Sequence, residues 1–258
     1  MQATSADGVA ITYEVTGAGP VALVFVHGWL GSKRWWDATR DDFAATHTVV
    51  ALDLAGHGDA GGERAAWSVA AYAADIAAVV RQLANARVVL VGHSMAGAYV
   101  VEASLGLPQV AAVVLVDTLK NLDRIIPPDQ VAQMLALYRT DYRATVENVL
   151  APYLYAPTTP PQVQARLTAE FLQVAGPRAA QLLEPLYRTD IRVAAAQVTV
   201  PVRAINGDLH PTDDAVNRTY FRDYASTLLP GVGHYPMLEQ PAAFAAALAD
   251  TLAGLGLA

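Results

Sequence analysis

The chain has 258 residues, 53% of them hydrophobic and 16% charged, with a net charge of −7 and no cysteine. That length suits one large α/β domain or a core with an insertion, and the apolar content supplies a sizeable buried core. An acidic chain without a basic stripe excludes nucleic acid as a partner class, and the lack of cysteine excludes disulfides, a thiolate nucleophile and cysteine metal sites. The start, MQATSADGVAITYEV, has no basic region leading into an apolar one. No apolar run reaches the roughly 18 residues of a membrane span, so a cytoplasmic protein with no membrane span is expected.

In chain order, residues 9–15 (VAITYEV) alternate and predict an edge-type strand, followed by a turn at TGAGP. Residues 21–26 (VALVFV) form a continuous apolar run, expected of a strand buried on both faces of a parallel sheet. It ends at His27-Gly28-Trp29. Residues 33–45 read as a helix whose Lys33, Arg34, Arg40, Asp41 and Asp42 form a solvated face. Residues 48–52 are the next buried strand, ending at Asp53-Leu54-Ala55-Gly56-His57-Gly58. Ser68 caps a long alanine-rich helix reaching about residue 83. A strand at 88–91, the turn Gly92-His93-Ser94-Met95-Ala96-Gly97 and a helix at 98–105 follow, and then a strand at 111–116 ending at Asp117.

The rhythm changes at residue 118. From 118 to 197 there is no strand pattern, only amphipathic stretches at 129–140, 142–154, 161–174 and 178–187 separated by proline-containing breaks. Strands resume at 198–205, ending Asn206-Gly207-Asp208. A helix at 213–224, a short strand at 226–229, the loop Gly231-Val232-Gly233-His234 and a last helix at 240–252 complete the chain. Strands alternating with helices predict a doubly wound, mostly parallel α/β sheet, with sites beyond the carboxyl ends of the strands. The expected division is a core of residues 1–117 and 198–258, with 118–197 inserted as a helical unit.

A serine with small residues two positions to either side, on a sharp strand-to-helix turn, is the nucleophile-elbow pattern, although Ala96 stands where the pattern has glycine. Together with His27-Gly28-Trp29, the Asp53–Gly58 loop and Gly231–His234 in that order, it makes the chain resemble the α/β-hydrolase family over essentially its full length. The resemblance implies the α/β-hydrolase fold with a helical cap at 118–197. It also implies Ser94 as nucleophile, His234 as its base, and an oxyanion hole from the backbone N–H groups of Trp29 and Met95. The acid is open. The family's usual place after the penultimate strand holds His210, with Asp208 out of register. The alternative place, after the strand preceding the cap, holds Asp117, and register favours it. His27 and His57 receive structural roles, and His93 is expected to point away from the pocket with no catalytic role. Tyr138, Tyr153, Tyr155, Phe171 and Tyr187 are assigned to the cap core, with one or two of them open as pocket lining. No metal-ligand spacing such as H-E-x-x-H occurs, and no cofactor is implied. The expected activity is hydrolysis of a small carboxylic ester or lactone through an acyl-enzyme. C–C bond hydrolysis of a diketone-like acid and a small-molecule receptor are the alternatives. Serine at the elbow speaks against the dehalogenase and epoxide-hydrolase branches, whose nucleophile is a carboxylate.

Overall fold

The computed structural model describes residues 1–258. The elements are β1 (Gln2–Thr4), β2 (Ala10–Thr16), β3 (Val21–Val26), α1 (Asp37–Phe43), β4 (Thr48–Leu52), α2 (Val69–Val80), β5 (Arg87–His93), α3 (Ala96–Ser104) and β6 (Val110–Val116). After these come α4 (Pro128–Thr140), α5 (Tyr142–Thr145), α6 (Ala151–Leu154), α7 (Pro161–Leu172), α8 (Gly176–Tyr187) and α9 (Arg192–Ala195). The chain closes with β7 (Val202–Gly207), α10 (Asp214–Tyr220), β8 (Tyr224–Leu229), α11 (Pro236–Glu239) and α12 (Pro241–Gly254).

The eight strands form one sheet in the order β1-β2-β4-β3-β5-β6-β7-β8. β1 and β2 run antiparallel to their neighbours and the remaining pairs are parallel. This is the α/β-hydrolase fold. The uninterrupted apolar runs became the central strands. Every residue of β3 and β4 is buried, as required of strands covered by helices on both faces. Register sets the carboxyl ends of the central strands side by side: Val26 pairs with Gly92, His93 with Val116, and Val116 with Ile205. The loops leaving β3, β5, β6 and β7 therefore meet at one edge.

Several elements differ from the sequence expectation, each for a local reason. The edge of the sheet is β1, three residues paired with β2, so the 9–15 strand is not the edge. β7 begins at Val202 because Pro201 has no N–H to give a ladder, although its carbonyl accepts from Val113 N at 3.0 Å. The 142–154 stretch divides into α5, a π-helical turn at Val146–Leu150 and α6. Pro152, in the first turn of α6, removes an N–H from the ladder where the winding changes.

Lys33 departs furthest. It is buried rather than solvated, and its Nζ lies 2.8 Å from Asp53 Oδ2 and 2.7 Å from Asp59 Oδ2. Asp53 is wholly buried and also accepts from the backbone N–H groups of Lys33 and Asp59. Burial alone would raise its pKa. The nearby His27 ring, the Lys33 ammonium and these hydrogen bonds outweigh it and hold the carboxyl below its ordinary value. A buried carboxylate needs such a partner, so the lysine is drawn inward.

Between β6 and β7 lie six α-helices and no strand. No helix of the protein is long and apolar enough to cross a membrane.

Candidate active site

Ser94 follows β5 directly and has φ +54°, a left-handed conformation that a non-glycine residue holds only where its surroundings fix it. Here the surroundings are tight. Ser94 N donates to Val116 O on β6 at 3.0 Å. A Cβ on Gly92 would come within 2.7 Å of Ala96 O, so the turn into α3 closes only over glycine. The glycine one place later than the usual pattern has its own reason: a Cβ on Gly97 would lie 2.3 Å from Thr118 Cγ2. Gly97 thus lets the segment after β6 pack against the first turn of α3.

His234 sits between β8 and α11. Asp117 is a bare acceptor as a carboxylate, so His234 Nδ1–H is the donor in their 2.7 Å contact to Oδ2. That leaves Nε2 as the acceptor for Ser94 Oγ–H at 2.8 Å. The other carboxylate oxygen, Asp117 Oδ1, accepts from Gly207 N at 2.8 Å and lies 2.7 Å from Lys120 Nζ. Burial alone would raise the Asp117 pKa. The hydrogen bond from His234, together with the Lys120 ammonium, holds it below the ordinary carboxylate value.

Asp208 stands elsewhere. Its Oδ1 accepts from Gly231 N at 2.9 Å and Val232 N at 3.3 Å, tying down the turn before His234, and it makes no hydrogen bond to the histidine. His210, at the family's usual acid position, donates from Nε2 to Tyr153 O at 2.8 Å with its ring stacked on Tyr153.

The loop after β3 packs against the elbow: a Cβ on Gly28 would lie 2.5 Å from His93 Nδ1 and 3.1 Å from Ser94 Cβ. The backbone N–H groups of Trp29 and Met95 donate to no other group of the protein. Buried N–H groups are rarely left so, and a ready donor pair beside a serine suits a developing oxyanion. The Trp29 indole reaches the inserted helices, donating to Ala179 O of α8 at 2.8 Å and packing against Tyr138 and Phe171. Trp35 Nε1 likewise donates to Glu170 on α7 at 2.8 Å. Tyr138 and Phe171 are buried as expected, whereas Tyr153 is 49% exposed.

Two residues that the sequence left without a part hold the His234 loop. Glu239 is buried and accepts from Gly233 N, Tyr235 N and Thr159 Oγ1 at 2.9, 2.8 and 2.6 Å, clamping the backbone on both sides of His234. His93 donates from Nε2 to His234 O at 2.7 Å, and its ring lies against the His234 ring. Nothing local pointed to His93. His27 donates from Nδ1 to Gly28 O and accepts from Leu54 N, so it shapes the loop. No three His, Asp or Glu side chains are arranged to hold a metal ion.

Burial holds the pKa of both His57 and His93 down at about 3, with neighbouring histidines adding to the effect. In the unfolded chain each titrates near 6.5. Between these values the unfolded state binds more protons, so acidification destabilises the fold. Each group costs about 1.4 kcal/mol per pH unit, and the two together roughly 2–3 kcal/mol per unit below pH 6. Asp117, with its lowered pKa, adds a further loss only below about pH 4. Urea unfolding midpoints should therefore fall steeply from pH 7 to pH 5. A flat midpoint over that range would contradict the neutral, buried assignment.

A model described as the alpha/beta hydrolase family matches residues 23–247. The chain spans about a third of the length of the first curated relatives it matches, at 33% identity over 109 residues. A pimeloyl-[acyl-carrier protein] methyl ester esterase of Edwardsiella ictaluri is 27% identical, covering 93% of this chain and 96% of its own. Among solved structures, a thermophilic esterase from Thermogutta terrifontis superposes with a TM-score of 0.84 at 20% identity, covering 99% of this chain and 98% of the other. The enol-lactonase from Burkholderia xenovorans LB400 gives 0.82 at 21% identity, covering 98% of this chain and 100% of the other.

Proposed function

Because the chain belongs to the alpha/beta hydrolase family, we propose that it is a serine hydrolase cleaving a small carboxylic ester or lactone through an acyl-enzyme. The observation that carries this reading is the continuous hydrogen-bonded chain from Ser94 Oγ through His234 to Asp117, at 2.8 and 2.7 Å. A serine hydroxyl is a weak nucleophile until a base takes its proton, and His234 Nε2 is in place to do so. Ser94 Oγ then attacks the carbonyl carbon, and the N–H groups of Trp29 and Met95 receive the oxyanion. His234 gives that proton to the leaving alcohol, then takes one from the water that attacks the acyl-enzyme and passes it to Ser94 Oγ as the acid is released. Asp117 fixes the tautomer and stabilises the imidazolium.

In this reading residues 118–197 are a cap over the core of 1–117 and 198–258. The contacts of Trp29 with Ala179, Tyr138 and Phe171 support it, since they join the oxyanion loop to the inserted helices. A cap of this kind limits acyl size and excludes water. The full-length similarity to a methyl ester esterase supports an ester substrate.

The reading is tested with p-nitrophenyl butyrate and a simple lactone. Turnover of either that follows first-order loss under a serine-directed reagent is the expected result. A folded protein that binds such compounds without turning them over would instead favour a receptor.

A further inference from the structure

We propose that Lys120 is a positioning residue for the hydrolysis described above, holding Asp117 in the orientation that His234 requires. This rests on the Ser94–His234–Asp117 reading and goes beyond it. The carboxylate stands at the end of β6, in a segment where Asp117 and Leu119 both have positive φ, +46° and +47°, without being glycine. Such backbone persists only when its surroundings over-determine it. Asp117 N donates to Ile205 O and Asp213 N to Lys120 O, at 3.0 and 2.7 Å, but neither bond fixes the plane of the carboxylate.

Lys120 supplies what is missing. Its ammonium has three N–H donors and meets three acceptors: Asp117 Oδ1 at 2.7 Å, Gly207 O at 2.9 Å and His210 O at 3.2 Å. It thereby ties the segment after β6 to the last residue of β7 and the loop beyond it. With Gly207 N–H also on Oδ1, one carboxylate oxygen is occupied from two sides and Oδ2 is left for His234.

The position has an electrostatic consequence. The ammonium and a forming imidazolium draw on the same negative charge from opposite oxygens. Lys120 therefore orients the acid while opposing protonation of His234. The other groups around this cluster are His93 from β5, Tyr235 and Glu239 from the α11 side, Asp208 and His210 from the loop after β7, and Asp213 before α10. None of them places a second cation on Asp117.

Two effects of different kind follow for Lys120→Met. Loss of orientation should lower kcat roughly tenfold. Loss of the like charge should move the acid limb of kcat/KM to higher pH by about one unit. Lys120→Arg keeps the charge and should keep the limb where it is in the wild type. A purely structural lysine would lower activity without moving the limb. The same titration is read without substrate from the low-field proton resonance of His234 Nδ1–H, assigned by its loss in His234→Gln. If the wild type turns over no ester, the functional reading falls, and the resonance still tests Lys120. Should Lys120→Met not fold, Lys120→Gln takes its place in both measurements. An upward shift in the neutral variant with none in Lys120→Arg supports the proposal. A folded neutral variant whose titration superimposes on the wild type overturns it.

Discussion

Asp117→Asn is expected to lower kcat by about four orders of magnitude, the size of the loss in the worked serine-protease case, with the fold retained. The direction of the amide is fixed by its surroundings. Gly207 N–H donates to the position of Oδ1, and the Lys120 ammonium lies 2.7 Å from it. The amide oxygen must face them, which turns the NH2 group toward His234 Nδ1. That nitrogen can then only accept, so its proton moves to Nε2, the atom that faces Ser94 Oγ. The base is lost although every heavy atom keeps its place. Asp208→Asn should leave kcat within a few-fold, because Asp208 holds only the turn at Gly231 and Val232. Steady-state kinetics on one ester compares the two variants directly. An inactive Asp208 variant beside an active Asp117→Asn would return the acid to the loop after β7.

Ser94→Ala should cost more, of order 10⁶ in kcat, leaving the residual rate that binding and the oxyanion donors sustain. His234→Ala should cost a similar factor. Because the two side chains act through one proton transfer, the double variant should be no slower than either single one. Multiplicative losses would mean that they act independently, which the 2.8 Å contact between them makes incompatible with the proposed chemistry.

The parts of the molecule legible in the sequence were those set by local pattern. β3 and the Val49–Leu52 run of β4 are apolar without interruption because both faces of these strands are covered. Ser68 caps α2 through a bond from Ala71 N, as its place before the alanine-rich run indicated. Ser94, His234 and Asp117 each stand at the end of a strand or in the loop after one, where local pattern is readable, and Ser94 and Asp117 are each within hydrogen-bond distance of His234. What escaped depends on contacts far apart in sequence. Lys33 looked like part of a solvated face until Asp53, twenty residues on, required a buried cation. The bond from His93 to His234 O joins residues 141 apart, and the Lys120 bond to Gly207 O joins residues 87 apart. β1 is three residues long, too short for alternation to be distinguished from a tail. Glycine at 97 rather than 96 looked like a departure from the elbow pattern, and Thr118 supplies its reason.

The most direct test of the central claim is covalent labelling by a fluorophosphonate, followed by peptide mass mapping and assay of the same sample. The expected result is one phosphonyl group per chain, on Ser94, with ester hydrolysis lost in proportion to labelling and no label on Ser94→Ala. Full hydrolysis by protein whose Ser94 is quantitatively modified, or activity lost through modification at another residue, would contradict it.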